Sequence, residues 1–412
     1  CLDTARGKAR RQIRHLAAIS AMISVSEALD RILALSDALP SEKISLRQAQ
    51  GRVLAQAVTA TRDQPPFAAA AMDGYAIRTT DLAAGVQVWQ VIGKSAAGHP
   101  FLHAVAAGQT TRIFTGAPLP HGTDHVLIQE NVEAQDGKII LIDGPNDAAH
   151  LRPAGSDFTA GYRLSAPRRL TAQDIALLAA MNIAQPTVTR RPKVALIATG
   201  DELVQPGDTP RDDQITASNT YGLAAMLQKI GAEARILPIA RDRMGSLAEV
   251  FALAQDADLI LTIGGASVGD YDLVAQAAAA LGLEQSFYKV AMRPGKPLMA
   301  GRMGGRTMIG LPGNPVSAMV CGEIFVVPLI EKMLGLPAGP RATKTAPLAH
   351  DLPANGAREH YMRATLIEGA LYVAQRQDSS LLSILSNANA LAISPIDAPA
   401  MPKDSEMRYI PL

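Results

Sequence analysis

The sequence predicts a multidomain α/β protein: a mostly parallel three-layer α/β domain, an inserted small β domain, an elongated N-terminal helical and β segment, and a C-terminal β domain. Three observations carry this. A chain of 412 residues exceeds one ordinary core. From residue 192, buried apolar runs alternate with helical patterns at the spacing of a parallel sheet covered on both faces. Residues 61–142 and 336–412 instead break into short apolar-polar alternations separated by Gly, Pro and Asp turns.

The leading stretch "CLDTARGKARRQIRHLAAIS" is basic and lacks the apolar core of a secretory signal. Residues 1–21 are therefore expected to be a disordered or non-native leader, with Met22 opening the folded chain. Ser26 followed by Glu27 reads as a helix start. Residues 22–60 plus 143–191 form a segmented N-terminal domain, with a second helix in "RLTAQDIALLAAMNI". Residues 61–142, with "VQVWQVIG", "TTRIFTG", "DHVLIQENVEA" and "KIILID", form the inserted β domain. Residues 192–335 carry the strands "KVALIATG", "EARILPIA", "DLILTIGG", "SFYKVAM" and "TMIGLPG". Helices lie between them, and a long apolar helix runs from Pro315 to about Leu334. Residues 336–412 form the last β domain.

Apolar residues make up 48% and charged residues 19%, a globular balance. A formal charge of +1 leaves no global basic field for nucleic acid, so any anion must be gripped locally. Two cysteines exclude a disulfide framework and a Cys-type zinc site, and fit a cytoplasmic location. Cys321 reads as a small core residue, as does Trp89 in its alternating strand. No run of eighteen apolar residues occurs, so no transmembrane helix is expected. His99, His103, His121, His125 and His150 lack ligand spacing and read as solvated or locally hydrogen-bonded.

In a parallel α/β sheet, ligands bind at the carboxyl ends of strands, and four such ends carry unusual residues. "ATGDEL" offers Thr199, Gly200, Asp201 and Glu202, two carboxylates directly after a glycine turn. In "TIGGASVGDYD", Gly264 and Gly265 admit close approach, and Ser267 and Gly269 extend a loop able to cradle an oxyanion. Asp270 and Asp272 would repel an anion there unless Mg²⁺ bridges them; an N-cap is their plainer role. "MRPGKPLMAG" holds Arg293 and Lys296 on one side of the Pro294-Gly295 turn, suited to phosphate or other oxyanion oxygens. "GLPGNPVS" places Pro312, Gly313 and Asn314 at a helix start, with Asn314 as N-cap and Pro315 first in the helix. Together these ends describe a site for a multiply anionic ligand that also needs a divalent metal.

At these residues the chain resembles the molybdopterin molybdenumtransferase family, that of MoeA and the gephyrin E domain. "AMDGYAIR", "IFTGAPLPHGTDHVLIQE", "TGDEL", "GGASVGDYD", "RPGKP" and "GLPGNPVSA" appear in the family's order. The resemblance implies that adenylylated molybdopterin and molybdate are substrates, that AMP and molybdenum cofactor are products, and that Mg²⁺ assists. It implies a molybdopterin-binding type of α/β domain and a homodimer whose subunits complete each other's clefts. Molybdopterin adenylyltransferase and molybdoenzyme chaperones are the implied protein partners. By the same resemblance Asp201, Glu202, Asp242, Asp270 and Lys296 are the catalytic set, with Asp201, Asp270 and Asp272 as metal ligands. Thr115 and Asp157 fall at the cleft edge.

One stretch departs from the pattern. Ala68, Ala69 and Ala70 stand where the family typically has Asp-Asn-Ser, and Ser156 stands where glutamate is usual. A weakened enzyme or a molybdopterin-binding scaffold is the alternative this raises. Molybdopterin adenylyltransferase itself is a third reading, disfavoured by the flanking β domains.

Overall fold

A computed structural model of the protein describes residues 22–144, 148–265 and 273–412. The expected leader and the expectations for Ser267, Gly269, Asp270 and Asp272 lie outside the described residues.

The central sheet has seven strands in the order Met22–Ile23, Leu283–Val290, Pro297–Met303, Arg306–Leu311, Leu259–Ile263, Lys193–Ala198, Glu233–Ile236. The last four run parallel to one another, Pro297–Met303 is antiparallel to both its neighbours, and Met22–Ile23 pairs parallel to Leu283–Val290. Alternate residues feed separate cores. Leu196, Leu261 and Ile309 pack with Leu223, Phe325 and Ile330 on one face. Ala195, Ile197 and Ile260 pack with Leu247, Phe251 and Val274 on the other. Burial on both faces is why these strands read as continuous apolar runs.

Two local features refine the sequence reading. The first helix is Val25–Leu33, and its cap is Ser24, whose Oγ accepts from the Glu27 amide at 3.1 Å. Ser24 rather than Ser26 stands three residues before a glutamate, the spacing a cap requires. The long helix does run from Pro315 to Met333, but Gly322–Val326 forms a π-helical turn. Pro328 follows at once. It has no N–H for the ordinary helical bond, and a wider turn ahead of it relieves the ring's clash with the preceding carbonyl.

The inserted sheet has six strands, in the order Val132–Gln135, Lys138–Leu141, Val88–Ser95, Gln109–Ile113, Gly74–Ile77, His125–Ile128. Trp89 is fully buried there, with its indole N–H donating to Asp81 at 3.3 Å. Cys321 is buried in the main core, as expected. His125 departs from the expectation of solvation, because it is buried and its Nε2 has no partner among the described residues. No helix among the described residues is long and apolar enough to cross a membrane.

The C-terminal sheet positions the basic loop. Met292–Arg293 leaves the central sheet and pairs parallel to Glu359–His360 at the start of the Glu359–Ile367 strand. The "RPGKP" turn is thereby pinned between the α/β domain and the C-terminal strands.

Candidate functional site

The carboxyl ends of Lys193–Ala198, Leu259–Ile263 and Arg306–Leu311 open on one cleft of about 730 Å³. Thr199, Gly200, Glu202, Asp242, Gly264, Gly265, Pro312, Gly313 and Asn314 all line it. Parallel strands deliver their carboxyl ends side by side, so residues far apart in sequence converge. Leu203, Ile215 and Leu382 add an apolar wall.

Two glycines are required by this geometry. Gly264 has φ +98°, and a β-carbon there would stand 2.6 Å from the Thr199 carbonyl oxygen. Gly200 has φ +150°, and the Glu202 carboxylate folds back over it so closely that a β-carbon would meet Oε2 at 2.4 Å. A side chain at Gly264 would push the first and second strand ends apart, and one at Gly200 would strain the turn and displace the Glu202 carboxylate.

The acids gather at one end of the cleft. Asp201 is exposed beside the cleft rather than lining it, and its Oδ1 accepts from the Asp242 amide at 3.2 Å. Burial, and then the negative charges of Asp201 and Glu202, push the Asp242 carboxyl above its ordinary value. The Arg241 guanidinium braces this turn by donating to the carbonyls of Asp201 and Leu203 at 3.0 and 3.1 Å. Among the described residues, no three His, Cys, Asp or Glu side chains form a ready-made metal cluster.

The basic residues line an adjoining pocket instead of the main cleft. Arg293, Gly295, Lys296, Arg358, Ser317 and Ser379 surround about 270 Å³, and this pocket shares Pro297 and Asn314 with the cleft. The pairing of Arg293 with His360 draws the turn toward the C-terminal domain, which explains the offset. Asn314 does precede the helix, but its side chain makes no cap; Nδ2 donates to Ser379 Oγ at 2.9 Å.

Thr115 and Asp157 are not in the cleft of their own chain. Thr115 belongs to the inserted β domain, where its amide and hydroxyl both donate to Asp73 Oδ1 at 2.8 Å and hold that carboxyl below its usual range. Asp157 is exposed. Ser156 is exposed too, but Ala69 and Ala70 are not. They pair with Leu151–Arg152, and Ala70 packs against Ala76, Ile113, Ala117 and Val126. Two of the three alanines are therefore core residues rather than missing cleft contacts.

Sequence reasoning missed Ser218, Asn219 and Thr220, which line the cleft at the start of the Asn219–Lys229 helix. The available signal was a run of three short polar residues opening a helix directly after a loop. Ser380 and Leu382 of the C-terminal domain also reach the cleft.

Comparisons with known proteins agree along most of the chain. Residues 23–182 match the model of the MoeA N-terminal region, domains I and II. Residues 195–332 match the model described as "Probable molybdopterin binding domain", and residues 345–401 match the MoeA C-terminal region, domain IV. A molybdopterin molybdenumtransferase from Nostoc is 36% identical over 371 residues, 86% of this chain and 85% of the relative. One from Haemophilus influenzae is 36% identical over 76% of this chain and 78% of its own. The crystal structure of a molybdopterin biosynthesis MoeA protein from Pyrococcus horikoshii superposes with a TM-score of 0.84 at 28% identity, covering 95% of this chain and 99% of the other. The glycine-opened cleft, the basic turn and the flanking β domains thus have their place in a known architecture, and the chain belongs to the MoeA family of molybdopterin molybdenumtransferases.

Proposed function

We propose that the protein inserts molybdate into adenylylated molybdopterin, releasing AMP and molybdenum cofactor. The observation that carries this is the shared wall: a glycine-opened cleft and a pocket holding Arg293, Lys296 and Arg358 meet at Pro297 and Asn314. The cleft suits the elongated substrate, with the glycine turns at Gly200 and Gly264 admitting its phosphates close to the backbone and the apolar wall facing its ring system. The basic pocket suits molybdate, whose oxygens match point charges from lysine and forked donors from arginine.

Glu202 and Asp242, which line the cleft, are the described carboxylates that would contribute to holding Mg²⁺, with Asp201 beside them. The elevated Asp242 carboxyl fits this, since a carboxylate crowded by neighbouring acids favours a cation. With only these carboxylates, the ion would take part of its oxygen shell from substrate. When bound it would neutralise charge between the acids and the phosphoanhydride. The protein's own part is to hold both anions in one place, with Lys296 and Arg293 stabilising charge and the glycine turns admitting close approach.

We read the chain as four domains, 22–60 with 143–191, 61–142, 192–335 and 336–412, acting as a cytoplasmic homodimer. Thr115 and Asp73 lie outside their own cleft, so a partner's cleft is where they would serve. Because Ala69 and Ala70 are packed, the alanine tract lends no support to a scaffold role. Molybdopterin adenylyltransferase and molybdoenzyme chaperones are the natural neighbours of this reaction, as sources and acceptors of its labile compounds.

The test is incubation with adenylylated molybdopterin, Mg²⁺ and molybdate, with AMP measured by chromatography. Molybdate-dependent AMP release that K296A lowers by about a hundredfold is expected, the scale of one lost transition-state charge contact. Release indifferent to molybdate, or none from folded protein, refutes the proposal.

A further inference from the structure

One turn of the C-terminal domain reaches both cavities. Ser379 lines the basic pocket and Ser380 lines the main cleft. The turn is fastened to the α/β domain at the helix start, where the Val316 amide donates to the Ser379 carbonyl at 3.1 Å and Asn314 Nδ2 to its hydroxyl. Asp378 Oδ1 shapes the turn by accepting from the Ser380 amide at 2.8 Å and hydroxyl at 2.5 Å.

Beneath it lies Arg363, which is fully buried. Its Nη2 donates to the carbonyls of Asp378 at 2.9 Å and Arg376 at 3.3 Å, whereas Nε and Nη1 have no partner among the described residues. Gln377 folds back to clasp the same residue, accepting from the Arg363 amide and donating to its carbonyl, both at 3.0 Å. Burial and the nearby Arg293 charge both disfavour the guanidinium's charge, with Asp378 opposing them. A buried cation ordinarily needs a close carboxylate. Here the carbonyls of one turn serve instead, so cation and turn hold each other in place.

We propose that Arg363 is a positioning residue for the reaction: it sets the 376–380 turn so that Ser379 and Ser380 stand at the two cavities and the Pro315 helix start stays anchored. The role in turnover rests on the functional reading above; the anchoring itself does not.

The experiment uses R363K, which keeps the charge but loses the fork, and Q377A, which loosens the turn from its more accessible side. Amide hydrogen exchange in the full chain is expected to speed up about tenfold at Val316 and Ser380, the effect of one lost hydrogen bond to a charged group. Amides of Leu259–Ile263 serve as unchanged controls. Kinetically, KM for molybdate should rise about tenfold while kcat changes less. S379A should raise KM in the wild type and add nothing in R363K, since both act through one turn. Unchanged exchange at Val316, or an S379A penalty equal in both backgrounds, overturns the proposal. Should R363K fail to fold, Q377A carries the same test. Should the wild type show no molybdate-dependent turnover, the functional reading falls and the exchange result still decides the anchoring.

Discussion

The Asn219 side-chain amide donates to the Gly313 carbonyl at 2.7 Å, joining the start of one helix to the strand end that leads into another. This bond forms part of the cleft wall, since both residues line it. Losing it leaves a strand-end carbonyl unpaired and the two helix starts free to separate, at a cost of about 1 kcal/mol. N219A is therefore expected to raise KM for adenylylated molybdopterin about fivefold with a small fall in Tm. N219D, whose carboxylate faces the carbonyl, should be worse. Steady-state AMP release alongside thermal melts checks this, and an N219A enzyme with normal KM removes the bond from the substrate site.

Asp242 gives a pH signature. Its carboxyl is raised by burial and by Asp201 and Glu202, so in the window above the ordinary carboxylate pKa the folded chain binds more protons than the unfolded one. Stability contributed by this group then falls as pH rises through that window. D242N should melt higher than wild type at about pH 8, and the gap should close near pH 3, below the ordinary carboxylate range. Mg²⁺ should raise the wild-type Tm and leave that of D242N much less changed. Parallel melting curves across the whole pH range would mean the acids do not crowd.

Much of this site was legible because its parts are local. Glycine at a buried strand's end, an acid pair behind it, and proline at a helix start each report their own backbone, and Thr199, Gly200, Gly264 and Gly313 all reach the cleft. What depended on distant pairing was not legible. Nothing in "MRPGKP" says that Arg293 will pair with His360 and carry Lys296 into a separate pocket. Nor does "QDSS" announce that Ser379 will bond Asn314. The alanine tract misled for a related reason. Its burial comes from Ile113, Ala117 and Val126, strands away in sequence.

That burial makes the tract testable residue by residue. Ala70 has no exposed surface, whereas Ala68 is half-buried and uses only its carbonyl, which accepts from the Leu119 amide at 2.9 Å. A70D would bury a carboxylate among methyl groups and should cost several kcal/mol, on the order of 3 or more, seen as lost expression or a collapsed melt. A68D should fold with Tm near wild type. If A68D also raises AMP release, the half-buried position faces substrate; an unchanged rate assigns the whole tract to packing.

His360 supplies the last prediction. It is buried beside Arg293, Arg358 and Arg363, its Nε2 has no partner among the described residues, and burial followed by these charges lowers its pKa to about 4. The imidazole is thus neutral in the folded chain while the unfolded chain still takes up a proton near pH 6.5. The unfolded state binds more protons between the two values, so stability is complete above about pH 6.5 and is lost as pH falls toward 4. A depression of this size corresponds to about 3 kcal/mol. H360Q keeps a polar side chain of similar reach but cannot titrate. Urea unfolding from pH 7.5 down to 4.5 should show wild type losing stability faster than H360Q, because carboxylates common to both cancel in the difference. Equal slopes would show that His360 takes up its proton at the same pH in the folded and unfolded chains, against the effect of burial and the three arginines.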